Sequence, residues 1–339
     1  MMNHNDFPKM TEEFDRSVRR ALDSLPERES KPVRRFSAKK IVCAGLAAAL
    51  CIGGTAFAAN AQSWFPLLFP NGGDANLEGY VQTADNAKLT DENEHYRLSV
   101  ESVLFDESAG TGVISLHLEN KKQDGVKPFT LAHLIDSYRN KPDITWSTLS
   151  SCYAEEGQLD FEVMYGDSGF CGSEFYLDTA RSTDNDYYFE GAFAISSDYR
   201  QGEPLRLEAL EPGKTTVRAD GAGTAKTVLA VDLPEFQQMP YLTSENGDVT
   251  LSQIGIRIRN ADMHCTVDEV DKLSVQLRDG SEYVILDENA DIDRTLYTYG
   301  FNSTEDTDRI DTEIAVLARA FDLDNVQSVT INSEVYPLS

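Results

Sequence analysis

The pattern of apolar and polar positions changes twice along the chain, and each stretch predicts a different kind of structure. In residues 11–25, Phe14, Val18, Leu22 and Leu25 recur at intervals of four, four and three, one stripe of an α-helix. Thr11 stands where an N-cap is expected, Glu12, Glu13 and Asp15 fall in the first turn, and Arg19 and Arg20 come later, as the helix dipole prefers; Pro26 ends the helix. Residues 41–61 (IVCAGLAAALCIGGTAFAANA) lose periodicity in one apolar run. From about Tyr80 the period becomes two. Leu98-Val100-Ser102-Leu104, Ile114-Leu116-Leu118, Leu159-Phe161-Val163-Tyr165, Ile254-Ile256-Ile258 and Leu273-Val275-Leu277 all alternate. Further strand-like runs are 187–195, 205–209, 228–233, 249–251, 283–286 and 326–331, separated by turn signals such as Asp279-Gly280, Pro212-Gly213 and Asn246-Gly247. One helix is expected among them at residues 312–320, where Ile314, Leu317 and Ala318 share a face, and a short one around 131–138.

The apolar run is long enough to cross a bilayer. Its 21 residues, at 1.5 Å each, span about 31 Å. Lys31, Arg34, Arg35, Lys39 and Lys40 precede it with no acid among residues 31–40, and the next charge is Asp74. The positive-inside rule then puts the N-terminus in the cytoplasm and the larger C-terminal part outside, with Trp64 and Phe65 at the outer interface. A cleaved secretory signal is the competing reading, since Ala56-Phe57-Ala58 and Ala59-Asn60-Ala61 both have the small-x-small form. Against cleavage, the preceding region is 40 residues long and carries its own helical pattern.

These patterns predict a mainly β chain with a short cytoplasmic helix, one transmembrane helix and two external antiparallel β-sandwich-like domains of immunoglobulin-like type. The boundaries are 1–40 for the amphipathic helix and basic tether, 41–61 for the span and 62–76 for a linker. A first external domain takes 77–234 and a second 235–339, the break falling where Pro234 and Pro240 interrupt the strands. A 15-residue helix is marginal alone in water, so the stripe of Phe14, Val18, Leu22 and Leu25 needs a cover. The lipid bilayer surface and a cytoplasmic protein partner both suit it, and the helix chemistry does not choose between them.

Charge narrows the function. The chain of 339 residues has a formal net charge of −27. Residues 1–40 hold ten Lys/Arg against seven Asp/Glu, so the acid is concentrated beyond the span. Direct nucleic-acid binding is therefore not expected.

Motifs for chemistry are weak. Gly166-Asp167-Ser168-Gly169 and Leu131-Ala132-His133 echo parts of a serine-protease site. Only 35 residues separate His133 from Ser168, too few for two barrels, and Phe170 replaces the next glycine. Asp287, Asn289 and Asp291 match three calcium-loop positions, but Ile292 and Thr298 stand where Gly and Glu are required. A solvated acidic loop is the expectation. His264-Cys265 lacks further zinc ligands, and Cys152 and Cys171 could bridge neighbouring strands outside the cell. No enzyme, cofactor or metal site is expected.

The order of parts resembles the domain of unknown function 4179 family, anti-sigma-factor-like single-pass membrane proteins of Gram-positive bacteria. The resemblance is carried by FDRSVRRALDSLPE (14–27), RRFSAKK (34–40), GGTAFAAN (53–60) and YRLSVESVLFDESAGTGVISLHLEN (96–120). At the end it is carried by VTLSQIGIRI, LRDGSEYVI and DLDNVQSVTINSEVYPL. It implies a signal-transducing regulator in the cell membrane that holds an extracytoplasmic-function sigma factor through its N-terminal segment and senses an external ligand of unknown identity. A surface binding or adhesion protein is the alternative.

Overall fold

Alternation in the sequence becomes antiparallel pairing in the fold. The computed structural model describes residues 64–69, 73–84, 89–122, 134–136, 146–149, 159–166, 169–196, 199–211, 226–260, 270–305 and 308–339. All of them belong to one compact unit, residues 56–339.

The strands before Pro234 are β1 (Gln82–Thr83), β2 (Thr90–Glu92), β3 (Tyr96–Asp106), β4 (Thr111–Asn120), β5 (Leu134–Asp136) and β6 (Trp146–Leu149). They continue as β7 (Asp160–Tyr165), β8 (Gly169–Phe170), β9 (Gly172–Asp178), β10 (Asp186–Ala194), β11 (Leu205–Glu211) and β12 (Lys226–Asp232). Eight of these form one sheet in the order β1-β3-β4-β10-β9-β6-β5, with β2 also on β3, and four form a second, β12-β11-β7-β8. The sheets face each other across one core, in which Leu98, Val100, Ile114, Leu116 and Phe189 meet Phe161, Val163, Leu207, Leu229 and Val231. Each such side chain contributes roughly 1.5–3 kcal/mol by leaving water.

After Pro234 come β13 (Tyr241–Thr243), β14 (Val249–Ser252), β15 (Gly255–Asn260), β16 (Lys272–Leu277) and β17 (Glu282–Asp287). β18 (Ile292–Asp293), β19 (Thr295–Glu305), β20 (Asp308–Leu317), β21 (Val326–Ile331) and β22 (Glu334–Pro337) complete the chain. They make two five-stranded sheets, β13-β14-β15-β20-β19 and β18-β17-β16-β21-β22. Val249, Leu251 and Ile256 pack there against Leu273, Val275, Ile285 and Val329. The described part of the chain is thus mainly β, in multiple antiparallel sheets, and no sheet has strands from both sides of residues 233–240.

Four expectations are corrected. Residues 312–317 lie in β20, not in a helix. This strand is buried on both faces: Ile314 and Val316 turn one way, Ala315 and Leu317 the other. A doubly buried strand reads as a continuous apolar run, which periodicity alone does not separate from a helix. Residues 134–136 form strand β5, whose Leu134, Ile135 and Asp136 pair with Leu149, Thr148 and Ser147, where a helix was expected. In β3 a bulge between Val100 and Ser102 shifts the register, so Leu98, Val100, Val103 and Phe105 face the first core while Leu104 faces away. Residues 64–69, read as linker with Phe65 at a membrane interface, are packed into protein; Phe65 and Phe69 are completely buried.

No helix among the described residues is long and apolar enough to cross a membrane. The expected span 41–61 lies outside the described residues, as does the amphipathic segment 11–25.

Candidate functional site

A third apolar cluster lies on the outer face of the eight-stranded sheet, where the two sheet pairs meet. Leu104, Val113, Tyr176 and Ala192 come from the first pair, and Ile254, Leu296, Val316 and Ala318 from the second. Between them runs a strap, residues 64–69 and 73–81, which contributes Phe65, Leu68, Phe69, Ala75, Leu77 and Val81. The sequence WFPLLF supplies enough apolar area to seal the joint, and the rings of Phe65 and Phe69 meet edge to face at 6.3 Å.

Polar contacts fix the strap to both sides. Ser102 Oγ donates to the Trp64 backbone O at 3.3 Å. The backbone N–H groups of Leu67 and Leu68 both donate to Glu190 Oε2, each at 3.0 Å. On the other side, the Asp74 N–H donates to the Ala320 backbone O at 3.1 Å, and Arg319 Nη2 pairs with Asp74 Oδ1 at 3.0 Å. The Tyr176 hydroxyl donates to the Leu296 backbone O, tying β9 to the start of β19.

Glu190 is the unusual group. It lies on β10, which pairs with β4 and β9, directly between Ser115 and Tyr176. Its residue is 2% exposed, and its second oxygen, Oε1, is buried without a hydrogen-bond partner. Burial pushes its carboxyl up to about 7, against the pull of the Leu68 and Leu67 N–H groups; Asp178 pushes the same way as burial, and Arg181 opposes it. Arg181 itself is engaged elsewhere, with Glu101 Oε2 at 3.1 Å and over the Tyr188 ring at 4.1 Å.

A second polar joint lies at the β3–β4 turn. Asp106 is buried, and burial raises its pKa against hydrogen bonds from Ser252 and from Ser108. Arg257 of β15 reaches the same turn, with Nη2 3.5 Å from the Glu107 backbone O. Burial lowers its pKa and Asp106 raises it.

The second sheet pair also holds a cavity of about 220 Å³. Ile256, Ile258 and Leu273 line it together with Glu288, Asp293 and Glu313. Asp293 Oδ1 already accepts from Thr295 N–H and Oγ1, at 2.9 and 2.6 Å. The described lining thus combines carboxylates and threonines with an apolar wall.

The stripe of Phe14, Val18, Leu22 and Leu25 lies outside the described residues. So do His133, Asp167, Ser168, Cys152, His264 and Cys265. Gly166 is a left-handed turn residue after β7, and Cys171 is buried in the first core. Asp287 caps a 3₁₀ turn, Glu288–Ala290, by accepting from the Ala290 N–H at 3.2 Å, and the cap residue Asp291 is left-handed. Among the described residues, no three His, Cys, Asp or Glu side chains gather as a metal site.

Sequence reading missed Glu190 and the strap. One signal was present. Tyr187, Phe189 and Phe193 alternate toward the core, which places Glu190 beside Ala192 on the opposite face, and a small apolar neighbour there marks a covered surface.

Comparison with protein-family models, curated proteins and solved structures finds no match for the chain.

Proposed function

We propose that the chain is a single-pass envelope signalling protein of the anti-sigma-factor-like family it resembles. In this reading residues 41–61 span the membrane. The sheet pairs are immunoglobulin-like sandwiches outside the cell, where they sense an external ligand. The N-terminal helix holds an extracytoplasmic-function sigma factor through Phe14, Val18, Leu22 and Leu25. The observation that supports it most is the position of the strap in the sequence. Trp64 follows the end of the apolar run by three residues, and the segment it begins is sealed between both sheet pairs. A change in either pair therefore bears on the chain next to the span, as a transducer requires and a simple tether does not.

The test acts on the stripe. Val18→Asp or Leu22→Asp puts an unpaired charge into an apolar groove; a cost of about 3 kcal/mol weakens binding about a hundredfold. The sigma factor should co-purify with the wild type and with the off-stripe variant Arg16→Ala, and should be lost from both stripe variants. The cognate promoter reporter should then switch on without stimulus while the variants keep normal abundance in the membrane. If no sigma factor co-purifies with the wild type and the stripe variants leave transcription unchanged, the chain is better read as a surface binding protein.

A further inference from the structure

Among the polar contacts of the strap, one carboxylate oxygen on the eight-stranded sheet takes two of its backbone N–H groups. Glu190 Oε2 accepts both the Leu67 and the Leu68 N–H, so the unpartnered Oε1 is the oxygen left to carry a proton. The charged and titratable groups around it come from several elements. β9 brings Asp178, Tyr176 and Glu174, the turn after β9 brings Arg181, β3 brings Glu101, and β10 brings Tyr188. Arg181 favours the ionised carboxylate and Asp178 opposes it. From the strap, the Leu67 and Leu68 backbone N–H groups donate to Glu190.

We propose that Glu190 is a proton-dependent latch: protonated, it holds the strap against the outer face of the eight-stranded sheet, and loss of that proton to solvent favours release of the strap. The latch rests on reading the strap as the element that couples the sheets to the chain next to the span.

The direction follows from linkage. Docked, the carboxyl titrates at about 7, whereas release of the strap exposes it to water and lowers it toward the ordinary 4.5. The docked state therefore binds up to one more proton between those two values. Docking is strongest on the acid side and is lost as pH rises through about 7. Between pH 6 and pH 8 the docking equilibrium falls about tenfold.

Hydrogen exchange measures this on the full chain in non-ionic detergent micelles. Peptides covering residues 64–69 are followed at pH 6, 7 and 8, with the chemical exchange rate divided out at each pH. The wild-type strap should be about tenfold less protected at pH 8 than at pH 6. Glu190→Gln keeps an acceptor for both N–H groups but has no proton to lose, so its protection should not change over that range. Arg181→Gln removes the cation that favours ionisation, and should move the wild-type fall to higher pH. A wild-type strap with flat protection overturns the latch, as does a Glu190→Gln strap that keeps the wild-type slope. Should Glu190→Gln not fold, an Arg181→Gln profile that does not move overturns it. No cytoplasmic partner enters the measurement, so it fails or succeeds separately from the sigma-factor reading.

Discussion

At the β15 end of the joint, Gly255 is required by how closely its backbone approaches the Thr111 side chain. A Cβ built on it would lie 2.2 Å from Thr111 Oγ1 and 2.7 Å from Thr111 Cβ, and Thr111 is completely buried on β4. Rotating the side chain does not relieve this, because Cγ2 lies 2.4 Å away as well and Cβ is fixed on the backbone. Gly255→Ala should therefore force β15 from the first sheet pair and cost about 1–3 kcal/mol, read as a lowered midpoint in urea unfolding. An unchanged midpoint would mean that the two pairs separate without loss. Glu190 and Asp106 are both buried on the eight-stranded sheet, and neither advertises itself in sequence. A lone acid on a strand normally marks a solvated face, and only the partner surface, distant in sequence, turns these two inward.

Among the elements, legibility follows whether a strand's apolar residues fall in one row or in two. β4 and β7 carry their main apolar rows, Ile114-Leu116-Leu118 and Phe161-Val163-Tyr165, on one face, and these alternations match the pairing even though Val113 and Met164 are buried on the other. β20 serves three clusters at once, through Ile314, Val316 and the Ala315–Leu317 pair, so its apolar run mimicked a helix. The β3 bulge escaped because one extra residue reverses the phase of a strand while leaving every local propensity intact. The strap escaped for a related reason: an apolar stretch beside a longer apolar run looks like its continuation. Its packing makes a firm prediction. Phe65 is completely buried between the pairs, so Phe65→Ala should cost about 3–5 kcal/mol, seen as a lower unfolding midpoint for the signals of both sheet pairs together. A true linker would give no change, and that result would remove the strap from the structural joint.

For the whole molecule, charge sets the background against which the joint must hold. Beyond residue 40 there are twenty Lys/Arg against fifty Asp/Glu, an excess of thirty acidic side chains. Several of the ion pairs among the described residues, Arg97–Glu119 at 3.2 Å, Lys122–Glu94 at 2.6 Å and Lys272–Glu282 at 3.1 Å, are open to water. Pairs of this kind contribute about 0–1 kcal/mol each. Self-repulsion of the remaining acid is spread over the surface and opposes compaction of two sheet pairs onto one strap. Salt weakens both effects, since at 0.1 M charges more than about 10 Å apart are largely screened. The repulsion has more members and acts over longer distances, so screening should relieve more than it removes. Raising sodium chloride from about 20 to about 500 mM, with chelator present to exclude calcium, should stabilise the full chain in non-ionic detergent by about 1 kcal/mol, or about 2 °C in Tm. A fall in Tm over the same range would mean that the exposed pairs, Arg319–Asp74 at the strap among them, hold the molecule together more than the excess acid drives it apart.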